Sequence, residues 1–203
     1  MRDRVEAAAA AALSGELVVL PTDTVYGIGT RPDDPAATER VFRAKHRSPT
    51  LELPVLVPSP EVARGIAVFD RAAETLAARF WPGPLTLVLP RTERSRGWEL
   101  GGDGRSVGVR MPDHPLALAL LQRTGPLAVT SANPSGEATP VDPGGLERVF
   151  GSAVSQYLCS EPLPPAPPST VVAISGTDLR MLRIGALSER AIRSALGATA
   201  GPM

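Results

Sequence analysis

Cysteine is almost absent from the 203-residue sequence, since Cys159 is the only one. A single cysteine excludes an intrachain disulfide and any metal site built from several cysteines. Long apolar runs are absent too: none approaches the ~18–20 residues that a membrane-spanning helix requires, and the N-terminal residues do not resemble a signal peptide. These absences predict a cytoplasmic protein that makes no contact with a membrane.

Net charge is also lacking, because 21 Lys and Arg residues balance 21 Asp and Glu residues. No global field attracts a nucleic acid or an anionic membrane, so any phosphate site must be local. The two histidines, His46 and His114, lack the acidic or cysteine partners of a metal site. The positively charged residues are strongly biased in type, because all of them are Arg except Lys45.

The pattern of short apolar runs and helical periods predicts one α/β domain spanning residues 1–203. Strands 85–89 and 107–111 are separated by a charged, glycine-rich stretch rather than by a crossover helix. We therefore expect a mixed parallel and antiparallel sheet flanked by helices, with residues 91–105 as a mobile loop. The other predicted strands are 17–20, 53–57, 127–130, 170–174 and 181–184, and the predicted helices are 5–13, 34–44, 61–80 in one or two pieces, 115–123, one starting at 142, and 188–196.

Two cations follow the helix predicted over residues 34–44. In Lys45-His46-Arg47-Ser48-Pro49, Pro49 favours an extended residue before it, and an extended stretch would place Lys45 and Arg47 on one side. A point charge beside a planar guanidinium suits a polyphosphate. The alternative is an exposed basic cluster at a helix C-terminus, where positive charge interacts favourably with the helix dipole.

A second polar segment, Thr130-Ser131-Ala132-Asn133-Pro134-Ser135-Gly136, follows an apolar strand. Pro134 favours an extended Asn133, so Ser131 and Asn133 can point the same way. Polar groups at the C-terminal end of a strand often line a site. An ordinary turn is the alternative, since these residue types are common in turns.

Seven segments, spread over almost the whole chain, form a pattern when taken in order. They are 17–29 (LVVLPTDTVYGIG), 45–47, 81–86, 107–112, 123–136, 168–172 and 182–186. In sequence and in order they resemble the YrdC-like (TsaC) threonylcarbamoyl-AMP synthases. The resemblance implies a twisted mixed sheet around a concave, positively lined cavity. It also implies a nucleotidyltransferase that condenses L-threonine, bicarbonate or CO2, and ATP into threonylcarbamoyl-AMP and pyrophosphate for the tRNA modification t6A.

By position, the resemblance implies two overlapping groups of site residues. The ATP-binding group, of which the first two members are also catalytic, is Lys45, Arg47, Ser131, Asn133 and Arg183. The threonine-binding group, in which the arginine meets the substrate carboxylate, is Thr24, Arg110, Ser131 and Ser169. No metal site on the protein is implied, and Mg²⁺ is expected to bind mainly through the phosphates of ATP.

The chemistry of such a reaction agrees with cations at Lys45 and Arg47. The threonine amine takes up CO2 to form a carbamate, whose oxygen attacks the α-phosphorus while pyrophosphate departs, so negative charge builds up on the phosphates. A P-loop ATPase is excluded because the one lysine, Lys45, does not follow a Walker-type glycine loop.

One segment departs from the family pattern. Where the family usually carries Lys or Asn and then Pro, this chain has Leu51 and Glu52. A nucleotide contact is therefore missing at Leu51. Glu52 is expected to repel phosphate if it faces inward.

The resemblance extends to partners and leaves two alternatives. It implies hand-off of the product to a tRNA threonylcarbamoyl transferase complex, with weak RNA binding as a further expectation. One alternative is the carbamoyl-adenylate chemistry of YrdC-like domains in larger carbamoyltransferases, whose acylphosphatase-like and zinc-finger modules do not occur in this sequence. The other is a non-catalytic module for double-stranded RNA, against which the zero net charge counts.

Overall fold

A mixed sheet of nine strands runs through the computed structural model, which describes residues 2–159, 162–164, 166–176 and 178–197. The strand order is β7-β1-β2-β6-β3-β5-β4-β8-β9. The strands are β1 Val18–Leu20, β2 Gly27–Thr30, β3 Val55–Leu56, β4 Leu85–Pro90, β5 Ser106–Arg110, β6 Leu127–Ser131, β7 Gln156–Tyr157, β8 Thr170–Ser175 and β9 Asp178–Arg183.

Helices flank this sheet, and several of them begin at a side chain that caps the first turn. The side chain of Asp34 accepts hydrogen bonds from the amides of Ala36 and Ala37, with Pro35 at the first helical position. None of the helices within the described ranges is both long and apolar enough to cross a bilayer. They are α1 Arg2–Leu13, α2 Pro35–Ala44, α3 Pro60–Ile66, α4 Arg71–Phe80, α5 Glu93–Arg96, α6 Pro115–Thr124, α7 Pro143–Phe150 and α8 Glu189–Ala195.

Strand pairing confirms that the sheet is mixed. β4 and β5 pair antiparallel, as expected for two strands without a crossover helix between them. β3 pairs parallel with β5, and β4 pairs parallel with β8. β6 lies antiparallel between β2 and β3, so β5, which is parallel to β3, runs in the opposite direction to β6. The last residues of these two strands, Arg110 and Ser131, nevertheless line the same cavity.

The two faces of the sheet are covered unequally. One face packs against α2, α3, α4, α7 and α8 in the larger hydrophobic core. On the other face α1 and α6 pack over the half that contains β1, β2, β3 and β6. Side chains alternate along a strand, so the alternate residues Thr86, Val88, Gly108 and Val171 of the remaining strands face a cavity instead. This uncovered half of the sheet is the floor of that cavity.

One buried strand was not predicted. The stretch 22–29, which is rich in glycine and polar residues, is not among the predicted strands, yet residues 27–30 form the buried strand β2. A Cβ on Gly27 would lie 2.5 Å from a methyl carbon of Val129, and one on Gly29 would lie 2.3 Å from the carbonyl oxygen of Ala128. The two glycines therefore allow β2 to approach β6 closely. Residue propensities alone treat the same glycines as a sign of a loop.

The segment 91–105 also differs from its prediction as a loop throughout. It contains the short helix α5 and two buried polar side chains, Arg91 and Ser95. Ser95 Oγ donates to the carbonyl of Ile66 at 2.5 Å. The remaining differences are smaller: β7 was missed, and β9 starts at Asp178. Residues 61–80 form two helices, which the prediction of one or two pieces allowed.

Candidate active site

A cavity of about 1260 Å³ collects most of the predicted site residues. Seven of the eight residues line it, and only Lys45 does not. Tyr26, in the threonine-rich segment, also lines the cavity and is buried. The seven are Thr24, Arg47, Arg110, Ser131, Asn133, Ser169 and Arg183.

Arg110 forms the centre of one end of the cavity. It is the last residue of β5 and is only 6% exposed. Its Nη2 donates to Asp23 Oδ1 at 2.6 Å, its Nη1 to Thr24 Oγ1 at 3.0 Å, and its Nε to the carbonyl of Gly83 at 3.0 Å. Both terminal nitrogens carry a second N–H group. The guanidinium is therefore fixed in place and can still donate to a ligand.

The Thr24 hydroxyl is held by Thr22 and Arg110. Thr22 Oγ1 donates to the carbonyl of Val25 at 2.6 Å and accepts from the amides of Thr24 and Val25, both at 3.2 Å. The two threonine hydroxyl oxygens are 3.0 Å apart, and either can donate to the other. Thr24 Oγ1 also accepts from Arg110. These contacts fix the position of the Thr24 oxygen beside the Arg110 guanidinium.

Asp23 belongs to the site and was missed from the sequence. Its Oδ1 accepts from Arg110 and also from the backbone amide of Asp113 at 3.0 Å, and its Oδ2 is buried. Burial lowers the pKa of Arg110, and the charge of Asp23 opposes that shift. A signal did exist, because an arginine at the end of a buried strand requires an anionic partner, and Asp23 is the one acid in segment 17–29.

Ser169 and Arg183 are in direct contact, although they were assigned to different substrates. Arg183 Nη2 donates to Ser169 Oγ at 3.0 Å, and Arg183 Nε donates to the Ser169 carbonyl at 3.0 Å. The Ser169 hydroxyl is also 2.9 Å from that of Thr86, which sequence reasoning did not single out. This cluster joins the two predicted groups into one continuous site.

The Asn133 amide is committed to its own loop. Its Nδ2 donates to the carbonyls of Pro134 at 2.8 Å and Glu137 at 2.7 Å, and its Oδ1 accepts from Thr139 at 3.2 Å. Ser131 ends β6 and lines the cavity beside it. Asn133 thus holds the loop 133–139 beside the cavity. The prediction that Ser131 and Asn133 point the same way did not include this role.

Lys45 differs from both readings of its sequence, an extended stretch and an exposed basic cluster. It is the C-cap of α2 with a helical φ of −96°, and His46 follows with a φ of +49°, so the stretch is not extended. The side chain is 1% exposed, and its ammonium donates to the carbonyls of Ser131 and Asn133. Burial lowers the pKa of Lys45 to about 8, with a further contribution from Arg47. The ammonium lies behind the cavity wall.

Arg47 reaches the cavity but without a carboxylate partner in its hydrogen bonds. Its Nη2 donates to the carbonyl of Glu52 at 3.0 Å and its Nε to that of Leu51 at 3.3 Å. Burial and the nearby charge of Arg183 both lower its pKa. Glu52 also lines the cavity, and its carboxylate accepts from Arg91 Nη2 at 2.9 Å, so its charge is paired there.

Comparisons with known proteins agree with this geometry. The family model Sua5/YciO/YrdC, described as telomere recombination, matches residues 10–185. A putative threonylcarbamoyl-AMP synthase of Mycobacterium tuberculosis is 39% identical over 98% of this chain and 92% of the relative. The chain belongs to the Sua5/YciO/YrdC family. The threonylcarbamoyl-AMP synthase of Bacillus subtilis is 31% identical over 96% of this chain and 57% of its own length.

Solved structures of this family confirm the expected YrdC-like fold. The crystal structure of Pyrococcus abyssi Sua5 complexed with L-threonine matches with a TM-score of 0.88 and 33% identity, over 98% of this chain. The chain spans 58% of the length of that protein. Escherichia coli YciO matches with a TM-score of 0.86 over 94% of its own chain, at 24% identity, which supports the fold alone.

Proposed function

We propose that the protein is an L-threonylcarbamoyladenylate synthase, a nucleotidyltransferase that condenses L-threonine, bicarbonate or CO2, and ATP into threonylcarbamoyl-AMP and pyrophosphate. The observation that carries the proposal is the charge arrangement of one cavity. At one end Arg110 is paired with the Asp23 carboxylate, whereas Arg47 and Arg183 donate to neutral oxygens. Such a cavity suits a small amino acid at one end and a polyphosphate at the other.

Threonine would bind at the end that contains Arg110. The remaining N–H groups of Arg110 suit the substrate carboxylate, as a bidentate or paired donor. The hydroxyls of Thr24, Ser131 and Ser169 line the cavity there and complete the group. Because Asp23 offsets the charge of Arg110, this end does not compete strongly for phosphate.

ATP would bind where the uncompensated cations are. Arg47 and Arg183 donate to phosphate oxygens, and Ser131 and Asn133 form the polar wall between the two substrates. Lys45 contributes its charge from behind that wall and has a further N–H beyond those given to the two carbonyls. We assign the catalytic contribution to Lys45 and Arg47 on this basis.

The reaction itself needs little covalent participation by the protein. The neutral threonine amine attacks CO2, a C–N bond forms, and one proton is released to give the carbamate. A carbamate oxygen then bonds to the α-phosphorus as the bond to pyrophosphate breaks. Cations near the phosphates stabilise the charge that accumulates in this step, and Arg47 is the cavity-lining cation next to Lys45.

We further propose how the metal ion and the product are handled. Among the described residues no three His, Cys, Asp or Glu side chains converge as metal ligands. Mg²⁺ would bind mainly through the ATP phosphates and offset their charge. The product would pass in the cytoplasm to a tRNA threonylcarbamoyl transferase complex, and weak RNA binding stays a prediction.

The test is pyrophosphate release from purified protein, with mass detection of the adenylate. We expect release only when ATP, L-threonine and bicarbonate are all present. Serine should be a poorer acceptor by roughly tenfold or more, since one methyl group in a fitted pocket is worth about that much.

Two variants show whether the activity belongs to this cavity. Arg47→Met should abolish most of the release, whereas Arg64→Met, on the surface beside Glu74, should leave it unchanged. Equal release with ATP alone, or an equal rate with serine, would assign the cavity to another acceptor.

A further inference from the structure

A buried ion pair connects the loop between β4 and β5 to the segment that follows Arg47. Arg91 Nη2 donates to Glu52 Oε1 at 2.9 Å, and the two side chains are 2% and 19% exposed. Burial raises the pKa of the Glu52 carboxyl, and its contact with Arg91 opposes that shift. Neither residue is among those assigned to a substrate, although Glu52 lines the cavity and Arg91 does not.

Arg91 is itself held rigidly. Its Nε donates to the carbonyl of Ser106 at 2.6 Å, and its Nη1 donates to those of Trp98 at 2.7 Å and Ser95 at 3.3 Å. These partners belong to the start of β5 and to the loop around α5. Glu52 is therefore attached through Arg91 to the framework of the sheet.

The segment 49–53 depends on such attachments because it contains no helix or strand. Its backbone packs against residues 100–102: Leu53 N donates to the carbonyl of Leu100 at 2.7 Å, and Gly102 N to that of Pro49 at 3.0 Å. A Cβ on Gly101 would lie 2.5 Å from the Pro49 carbonyl oxygen. The Arg91 pair and this close packing together determine where the carbonyls of residues 51 and 52 point.

Those carbonyls are the hydrogen-bond partners of Arg47. Its guanidinium donates to the Glu52 carbonyl at 3.0 Å and to the Leu51 carbonyl at 3.3 Å. Neither partner carries a charge that would orient the guanidinium by itself. The orientation of Arg47 therefore depends on the backbone conformation at residues 51 and 52. The contact of the Glu52 side chain with Arg91 helps to fix that conformation.

We propose that Arg91 is a positioning residue for the nucleotide end of the cavity, acting through Glu52 on the orientation of Arg47. The inference rests on the proposed function, because it concerns how Arg47 meets the phosphates of ATP. It also gives the departure at residue 52 a role, since an acid at this position creates the link to Arg91.

The test compares ATP binding and turnover in variants of the pair. Glu52→Gln keeps the size of the side chain and removes its charge. Arg91→Lys keeps the charge, but a single ammonium cannot donate to all the partners that the three guanidinium nitrogens reach. Each should raise the Kd for a non-hydrolysable ATP analogue, and the KM for ATP, by about five- to tenfold. The KM for threonine should change by less than about twofold. Glu74→Gln, which weakens an exposed pair with Arg64, is the matched control and should change neither.

The same substitution in an Arg47→Met background separates positioning from general stability. If Arg91 and Glu52 act through Arg47, Glu52→Gln should have no further effect on the Kd of the analogue there. An equal increase in both backgrounds would overturn the proposal, as would an unchanged Kd in folded Glu52→Gln and Arg91→Lys proteins.

Loss of folding is handled by a second variant. The double substitution Arg91→Met and Glu52→Met removes the pair without leaving one buried charge, and it should give the same rise in Kd. No rise there would also overturn the proposal. A wild-type chain that does not bind the analogue refutes the proposed function together with this inference, whereas binding without an effect of the variants refutes this inference alone.

Discussion

The two ends of the cavity hold their cations in different ways. Arg110 shares a buried ion pair with Asp23 and donates to Thr24, so its charge is offset and its orientation is fixed by side chains. Arg47 and Lys45 donate instead to backbone carbonyls, which orient them without cancelling their charge.

The difference is one of net charge rather than of cation number. Burial lowers the pKa of both Arg110 and Arg47, and the nearby charge of Arg183 adds to the shift at both, but a carboxylate opposes it only at Arg110. The chain has no net charge that would attract a polyanion to its surface at large. Arg47 and Arg183 donate to neutral oxygens, so their charges are available to a polyanion in the cavity.

Removing Arg110 should have the largest effect. Arg110→Met leaves Asp23 as an unpaired buried carboxylate, so we expect the free energy of unfolding to fall by about 3–5 kcal/mol. Threonine affinity should fall about ten- to a hundredfold through loss of the carboxylate contact. Urea denaturation and titration with threonine measure the two effects, and ATP affinity should change far less.

A second substitution sharpens this comparison. Adding Asp23→Asn to Arg110→Met removes the unpaired charge and should recover stability without recovering threonine affinity. Recovery of both, or loss of ATP affinity with threonine affinity retained, would contradict the assignment of this end.

Lys45→Arg should have an intermediate effect, although it conserves charge. A guanidinium is larger than an ammonium and must fit a site that is 1% exposed between two carbonyls, which costs about 1–3 kcal/mol of stability. Displacement of Ser131 and Asn133 should lower the adenylation rate about tenfold. Denaturation and pyrophosphate release are the measurements.

The control for that substitution lies on the same helix. Arg43→Lys, at an exposed pair with Glu39 in the last turn of α2, makes the reverse exchange and should leave rate and stability unchanged. Turnover and stability like those of the wild type in Lys45→Arg would show that the compact shape of the lysine is not needed.

The smallest expected effect is a pH dependence from Lys45. Its pKa is about 8 in the folded chain against an ordinary value of 10.5, so the unfolded chain binds more protons between these values and stability should rise with pH across that window. ATP affinity should instead weaken severalfold as pH rises through about 8, because the ammonium loses its charge. Denaturation and ATP-analogue binding from pH 7 to pH 10 measure both slopes.

Lys45→Met is the reference for these pH profiles. It should flatten both of them in that range. Superimposable profiles for the wild type and Lys45→Met would mean that another group titrates.

Local rules predicted most of the fold. The cap at Asp34, the apolar runs of β4 and β6, and the missing crossover between β4 and β5 led to the observed elements and to a mixed sheet. They failed at β2, where glycine serves close packing against β6, and at Lys45, where His46 turns the chain with a positive φ. Both failures occur where a neighbour distant in sequence decides the backbone conformation.

The sequence by itself determined which residue types are available to the site: a single lysine, polar groups after buried strands, and a family pattern whose members mostly line one cavity. Only the tertiary structure decided how those groups are partnered. Arg110 meets Asp23 across 87 residues, Lys45 meets Ser131 across 86, and Arg91 meets Glu52 across 39. Helix and strand rules extend over only about four residues, so the partner of a buried charge is chosen by the order of strands in the sheet.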